Sequence, residues 1–300
     1  MTKKIIPATR PALAAVIILA AAALATPKSP DARMASVVPA QTPAATVLEY
    51  KMPEGRTLSY KTSEESVEST EVMGQAMESH TTSTGTFAIK AKGLKEKNFV
   101  LGVTLDDQKM TVTGPQGDMS PDMASLKGKT FDMVLSPLGS EVDVSAAEAI
   151  TYEFVTGPRS VATGFKLFFP DLAGKPVKIG DSWPSTAGTV EKSGGLEIRI
   201  SLENVNTLEG FETVDGMECA RIRTQAVATI SGTGNQQGMD MVFAGSGKGT
   251  DVWYFAVKEG IYVKSNSELT MQMSIEVPSA GMTIPATQTR KGETKLLGTK

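Results

Sequence analysis

The single histidine, His80, and the single cysteine, Cys219, bound the chemistry open to this 300-residue chain. One imidazole cannot build a histidine-based metal cluster. A Ser-His-Asp site would have to use His80 in its polar setting of Glu78, Ser79, Thr81 and Thr82, which suits a solvated side chain on a polar strand. Cys219 opens an apolar segment, where a buried inert thiol is expected rather than a nucleophile. Among the acids, Asp106-Asp107 follows a strand-like run and Asp181 lies in a turn. Either could move a proton, but adjacent acids at a turn are commonly solvated, and an Asp at that place bonds turn amides. Gly245-Ser246-Gly247-Lys248-Gly249-Thr250 invites comparison with a phosphate-binding loop. It has Gly249 where Ser or Thr must follow Gly-Lys, and Val242 where the first glycine must stand, and an apolar strand follows instead of a helix. It reads as a hairpin loop. No catalytic residue, cofactor or metal ligand emerges from this inventory.

Methionine is the residue type present in unusual number, 15 in all. Met239 with Met241, and Met271 with Met273, place pairs of thioethers on one strand face. Three readings are open: ordinary core filling, a soft-metal site, or an adaptable apolar lining for a hydrophobic ligand, since methionine repacks easily. On the ligand reading the lining residues are Met239, Met241, Leu269, Met271, Met273, Phe165 and Phe168.

The elements that would carry these residues are strands. Phe87, Ile89 and Ala91 alternate with Lys90 and Lys92, and Phe99, Leu101, Val103 and Leu105 repeat the period. Leu196, Ile198, Ile200 and Leu202 alternate with Glu197, Arg199, Ser201 and Glu203. Leu269, Met271, Met273, Ile275 and Val277 do the same against polar partners. Residues 252–257 are apolar on both faces and predict a strand covered on both sides. Short strands are expected at 47–50 and 58–60, and the Ser, Thr and Glu-rich run 61–82 reads as a strand pair with one wet face, or as loop. A hairpin is predicted over 130–144 with its turn at Ser136-Pro137-Leu138-Gly139. Ser145 with Glu148 forms a capping box that predicts a helix to about residue 155, and a second short helix fits 160–168.

Two segments share a spaced pattern. Gly55 and Tyr60 precede Phe131-Asp132-Met133-Val134-Leu135 and the turn at Gly139. Gly180 and Trp183 precede Trp253-Tyr254-Phe255-Ala256-Val257 and the turn at Gly260. The ordered match predicts two similar antiparallel β-meander halves, about 46–144 and 175–295, joined by a helical connector over 145–170. The fold class is then mainly β: a curved sheet, half-barrel or sandwich. Between the halves stands Phe169-Pro170-Asp171-Leu172, followed by Val177-Lys178-Ile179-Gly180-Asp181-Ser182-Trp183. This stretch resembles the central signature of a family of exported bacterial proteins of unknown function, in which a duplicated β domain follows a signal peptide. The resemblance implies that fold and brings no catalytic residues with it. In outline the arrangement is also similar to periplasmic lipoprotein carriers, whose curved sheet and helical plug hold acyl chains.

The N-terminus reads as an export signal over 1–25: Lys3, Lys4 and Arg10, an apolar run over 12–25, and Ala23-Leu24-Ala25 before a cleavage point. An uncleaved segment would instead anchor the chain. Residues 26–45, with four prolines among Ser, Thr and Ala, read as a flexible tether, and 46–300 as the β-rich domain. One cysteine forbids an intramolecular disulfide, so a packed core must hold the fold. The net charge of −3, with both signs interspersed, gives no surface for nucleic acid. The expectation is a non-enzymatic envelope protein, periplasmic or extracellular, with a hydrophobic small molecule or lipid as ligand. The alternative is a cell-surface structural module with a fully packed core, whose partner is another envelope protein.

Overall fold

Alternation along the chain becomes fourteen strands in a computed structural model that describes residues 45–300 apart from 73, 156 and 237. The expected export signal, and all of the tether but its last residue, lie outside that range. The first half contributes β1 (Thr57–Val72), β2 (Gln75–Lys95), β3 (Asn98–Gly114), β4 (Gly117–Asp118), β5 (Thr130–Leu135) and β6 (Glu141–Asp143). A hairpin follows, β7 (Thr151–Phe154) with β8 (Gly157–Ser160), and then a single helical turn α1 (Ala162–Phe165). The second half is β9 (Ser182–Ser193), β10 (Leu196–Val214), β11 (Met217–Gln236), β12 (Met239–Ala256), β13 (Ile261–Val277) and β14 (Met282–Thr299).

Each half is a meander, and β1 lies antiparallel to β14 from Leu58 opposite Thr299 to Thr70 opposite Ala286. The sheet therefore runs β6-β5-β3-β2-β1-β14-β13-β12-β11-β10-β9, with β4 beside β3. Right-handed twist accumulated over so many strands curls it into an antiparallel half-barrel. Residues 144–181 cross the open side, with the turn at 145–149 against β5 and with β8 and α1 against β9.

Three tiers fill the concave face. At the end carrying the β12–β13 turn, a large cluster gathers Leu48, Tyr50, Tyr60, Phe87, Phe165, Phe168, Trp183, Trp253 and Phe255. At the opposite end a second cluster holds Leu196, Ile198, Ile230, Met241, Phe243, Leu269 and Met271. Between them lies a band of buried polar side chains, among them Asn206, Thr224, Ser265, Ser267, Gln288 and Arg290. The run 61–82 is strand, as one of its two readings had it, but its polar inward face is not wet. Ser66, Glu68, Ser79 and Thr81 are all buried there.

Three local expectations are corrected. The helix expected from residue 145 is a 3-10 turn, Ser145–Ala149. Asp143 Oδ1 takes both the Ser145 N–H (2.9 Å) and its hydroxyl (2.7 Å), so that hydroxyl caps nothing. The aromatic-rich Thr151-Tyr152-Glu153-Phe154 that follows then pairs as a strand. Residues 47–50 are irregular, although Leu48 and Tyr50 are buried. The Tyr50 N–H is taken by the Pro137 carbonyl at 2.9 Å rather than by a sheet neighbour. Residues 245–250 are the interior of β12, not a loop, with Gly247 paired to Ala228 on one side and Met271 on the other. A Cβ at Gly247 would sit 2.4 Å from the Thr270 oxygen and 2.7 Å from Met271 Cγ. The glycines that read as turn signals let methionine side chains lie across the strand.

Candidate ligand cavity

Residues 166–172 cross the large cluster as an irregular strap, tied down by its own sequence. Phe168 buries its ring among Tyr60 (5.1 Å between centroids), Phe87 (5.1 Å), Phe169 (4.9 Å) and Tyr262 (5.8 Å), mostly edge to face. Four hydrogen bonds fix the backbone on both sides. The Phe169 N–H donates to Glu141 Oε1 (2.7 Å) and the Leu172 N–H to the Leu138 carbonyl (2.7 Å). Tyr50 Oη donates to the Pro170 carbonyl (3.0 Å) and Trp183 Nε1 to the Asp171 carbonyl (3.0 Å). The central stretch thus closes on itself. Leu172, Val177 and Trp183 are buried, and the aromatic residue that ends it holds the backbone near its beginning. Gly139, at φ 104°, is needed twice over, because a Cβ there would lie 2.3 Å from the Pro170 oxygen.

Between this strap and the polar band lies a cavity of about 460 Å³. Its roof is Leu167, Phe168 and Phe169. Its floor includes Thr224, Asp251, Trp253 and Ser267 on β11–β13, with Ser185 and Asn206 to one side and Glu64 to the other. The floor hydroxyls are committed to one another. Trp253 Nε1 donates to Thr224 Oγ1 (2.9 Å), which donates to Asn206 Oδ1 (2.6 Å), and Asn206 Nδ2 donates to Ser185 Oγ (3.0 Å). Across β13, Ser267 Oγ donates to the Gly292 carbonyl (3.2 Å) and Tyr262 Oη to Ser265 Oγ (2.5 Å).

Carboxyl groups dominate the ionisable lining of this space. Burial pushes Asp251 up to about 8, against the pull of the Val252 N–H. Burial likewise raises Glu141 to about 8, opposed by the Phe169 N–H it accepts. Asp171 is also raised by burial, only partly offset by the Ser140 hydroxyl. Burial raises Glu64 too, although it is paired with Arg290. The basic side chain on the wall, Lys166, is held by Glu148 at 2.8 Å.

Of the residues proposed from sequence to line a site, Phe168 forms part of this roof. Phe165 is buried one layer behind it, edge to face with Phe87 (5.0 Å) and Phe131 (4.9 Å). Met241, Leu269 and Met271 are brought together in the second cluster, at the other end of the half-barrel. Met273 packs against that cluster and Met239 is half-buried at the start of β12. None of these five touches the cavity. His80 is exposed on β2 beside Glu78 (2.6 Å), and Asp106 is exposed on β3 near the bulge at Thr86 and Phe87. Cys219 is buried, which pushes its thiol up to about 11. Asp181 Oδ2 accepts the Lys178 N–H (2.9 Å). Among the described residues, no three His, Cys, Asp or Glu side chains gather where they could hold a metal ion. The residues that sequence reading missed are the inward-facing Ser, Thr, Asn and Asp of β9–β13. Their signal was present as polar residues at in-phase positions of otherwise apolar-alternating strands, such as Asn204 and Asn206 after Leu196, Ile198, Ile200 and Leu202.

No family model matches the chain, and no curated protein does. Two solved structures align over most of it. One, from Bacteroides fragilis, is assigned as exported with a YmcC-like fold. It shares 8% identity over 85% of this chain and 99% of its own, with a TM-score of 0.28. The other is a DUF1329 family protein from Desulfovibrio piger, with 11% identity over 80% of this chain and 85% of its own and a TM-score of 0.16. At such TM-scores neither likeness carries an argument about what this chain does.

Proposed function

We propose that the chain is an exported, non-enzymatic protein that binds a small ligand with an apolar body in the cavity beneath the strap. The observation that carries this reading is the cavity of about 460 Å³ between an aromatic roof and a polar floor. Pockets for small molecules run to roughly 300–1,000 Å³ and combine apolar walls with a few placed polar groups. The void favours this reading over a surface module with a fully packed interior. The basic and apolar N-terminal segment supports export.

The chain reports on its own occupancy, because Trp253 lines the cavity and Trp183, the second of its two tryptophans, packs edge to face on it with centroids 6.4 Å apart. Titration with decanol is expected to shift tryptophan emission saturably, at one molecule per chain. Ala187→Phe, which fills the wall from β9, is expected to weaken that binding about tenfold or more, for a loss of about 1.4 kcal/mol. A linear, unsaturable response, or an Ala187→Phe variant that binds as well as wild type, would sink this reading.

A further inference from the structure

We infer that the ligand's polar end is a protonated amine seated on Asp251, and that carboxylate amphiphiles are turned away. This deepens the cavity reading and rests on it.

Asp251 comes up from β12 between Thr224 of β11 and Ser267 of β13. Both neighbouring hydroxyls have spent their protons elsewhere, Thr224 on Asn206 and Ser267 on the Gly292 carbonyl. Trp253, two residues on, has spent its N–H on Thr224. Asp251 Oδ1 is left shut from solvent with no donor, while the residue itself lines the cavity. An orphaned buried acceptor of this kind costs about 1–3 kcal/mol. The torsion that aims an Asp carboxylate is broad, so a modest turn presents Oδ1 to the cavity.

The surroundings decide which donor is welcome. Five carboxyl groups line the cavity (Glu64, Glu141, Asp171, Asp251 and Glu293) against one lysine, Lys166. That lysine is held by Glu148, and Arg290, which is buried, is held by Glu64. Tyr262 of β13 stands close enough to Asp251 to feel its charge, and Glu293 of β14, Glu64 of β1 and Lys166 of the strap line the same cavity. On the cavity wall no cation is left over to receive a carboxylate head, whereas an ammonium meets an unpaired oxygen. Burial holds Asp251 protonated at neutral pH. A bound ammonium favours the ionised form, so that proton leaves to the buffer as the complex forms.

The experiment is a comparison of decylammonium, decanol and decanoate at pH 7, below their aggregation limits, followed by tryptophan emission and by calorimetry in two buffers. Decylammonium is expected to bind at least tenfold more tightly than either other probe, with close to one proton released. The advantage should persist at 0.3 M salt, where attraction to the outer surface is screened over a few ångströms. Asp251→Asn is expected to erase the advantage, so that decylammonium binds this variant no more tightly than decanol does. If decanol or decanoate binds wild-type protein as tightly as decylammonium, the amine inference is overturned and the cavity reading survives. If none of the three binds saturably, both fall. The ranking of the three probes on wild-type protein decides the matter even should the Asn variant fold poorly.

Discussion

The two ends of the half-barrel are built on the same strands and filled in opposite ways. At the end carrying Leu196, Ile230, Met241, Phe243 and Met271, glycines in β12 bring the backbone close, and flexible thioethers fill what remains. A void beside Ile230, Phe243 and Met273 there is about 10 Å³, room for one water. At the other end the packing elements are rigid rings, and they leave a cavity of about 460 Å³. The difference teaches that adaptable residues do not mark the adaptable place. Methionine fills irregular gaps, so it removes voids where it is plentiful. Rings locked by edge-to-face contacts and a strap pinned by four hydrogen bonds cannot collapse inward, so the space under them stays open.

Three substitutions sharpen that contrast, and the largest effect is expected under the strap. Phe168→Ala removes the ring that touches Tyr60, Phe87, Phe169 and Tyr262, and should cost about 3–5 kcal/mol in denaturant unfolding. It should also enlarge the cavity. A loss under about 1 kcal/mol would mean that the strap is not what holds this end. At the methionine-filled end Gly247→Ala should cost about 1–3 kcal/mol, because the added methyl meets the Thr270 carbonyl and Met271. An unchanged unfolding midpoint would show slack where the structure has none.

The third effect, no larger than the second, is a slope. A native Asp251 at about 8 keeps its proton when the unfolded chain, near 3.9, has already lost it. Over that window the native state binds more protons, so wild-type stability falls as pH rises from about 4 to about 8. Asp251→Asn lacks this contribution. Its stability relative to wild type should therefore grow by about 1–3 kcal/mol between pH 5 and pH 9. This is less than the full displacement implies, because the protein relaxes around the charge once it forms. Two variants with parallel pH profiles would place Asp251 in water.

Much of the fold is readable before any coordinates. The period of two in Phe99, Leu101, Val103 and Leu105, or in Leu269 through Val277, follows from side chains alternating across a pleat, so the strands announce themselves. The candidate site is legible only at Phe168. Residues 245–250 look like a loop because glycine is read locally, while what requires glycine there is Met271 on the next strand. Ser145 looks like a helix cap until Asp143 takes its hydroxyl. The Ser and Thr of β1 and β2 look solvated because Gln288 and Arg290, which lie opposite on the concave face, are more than two hundred residues away.

The amino-acid order alone determined a mainly β chain of one-sided strands around a short connector, with one imidazole and one thiol. Those properties are set by neighbours within a few residues, through the pleat and through residue inventory. Tertiary structure decided which polar side chains would be shut inside and which end would stay hollow. Curling the sheet brings β1 onto β14 and lays residues 166–172 across both halves, so the environment of Asp251 is composed by strands that share no sequence neighbourhood. Burial and partnership are properties of that closure, and they alone turn an ordinary aspartate on a strand into an unpaired acceptor at the floor of a cavity.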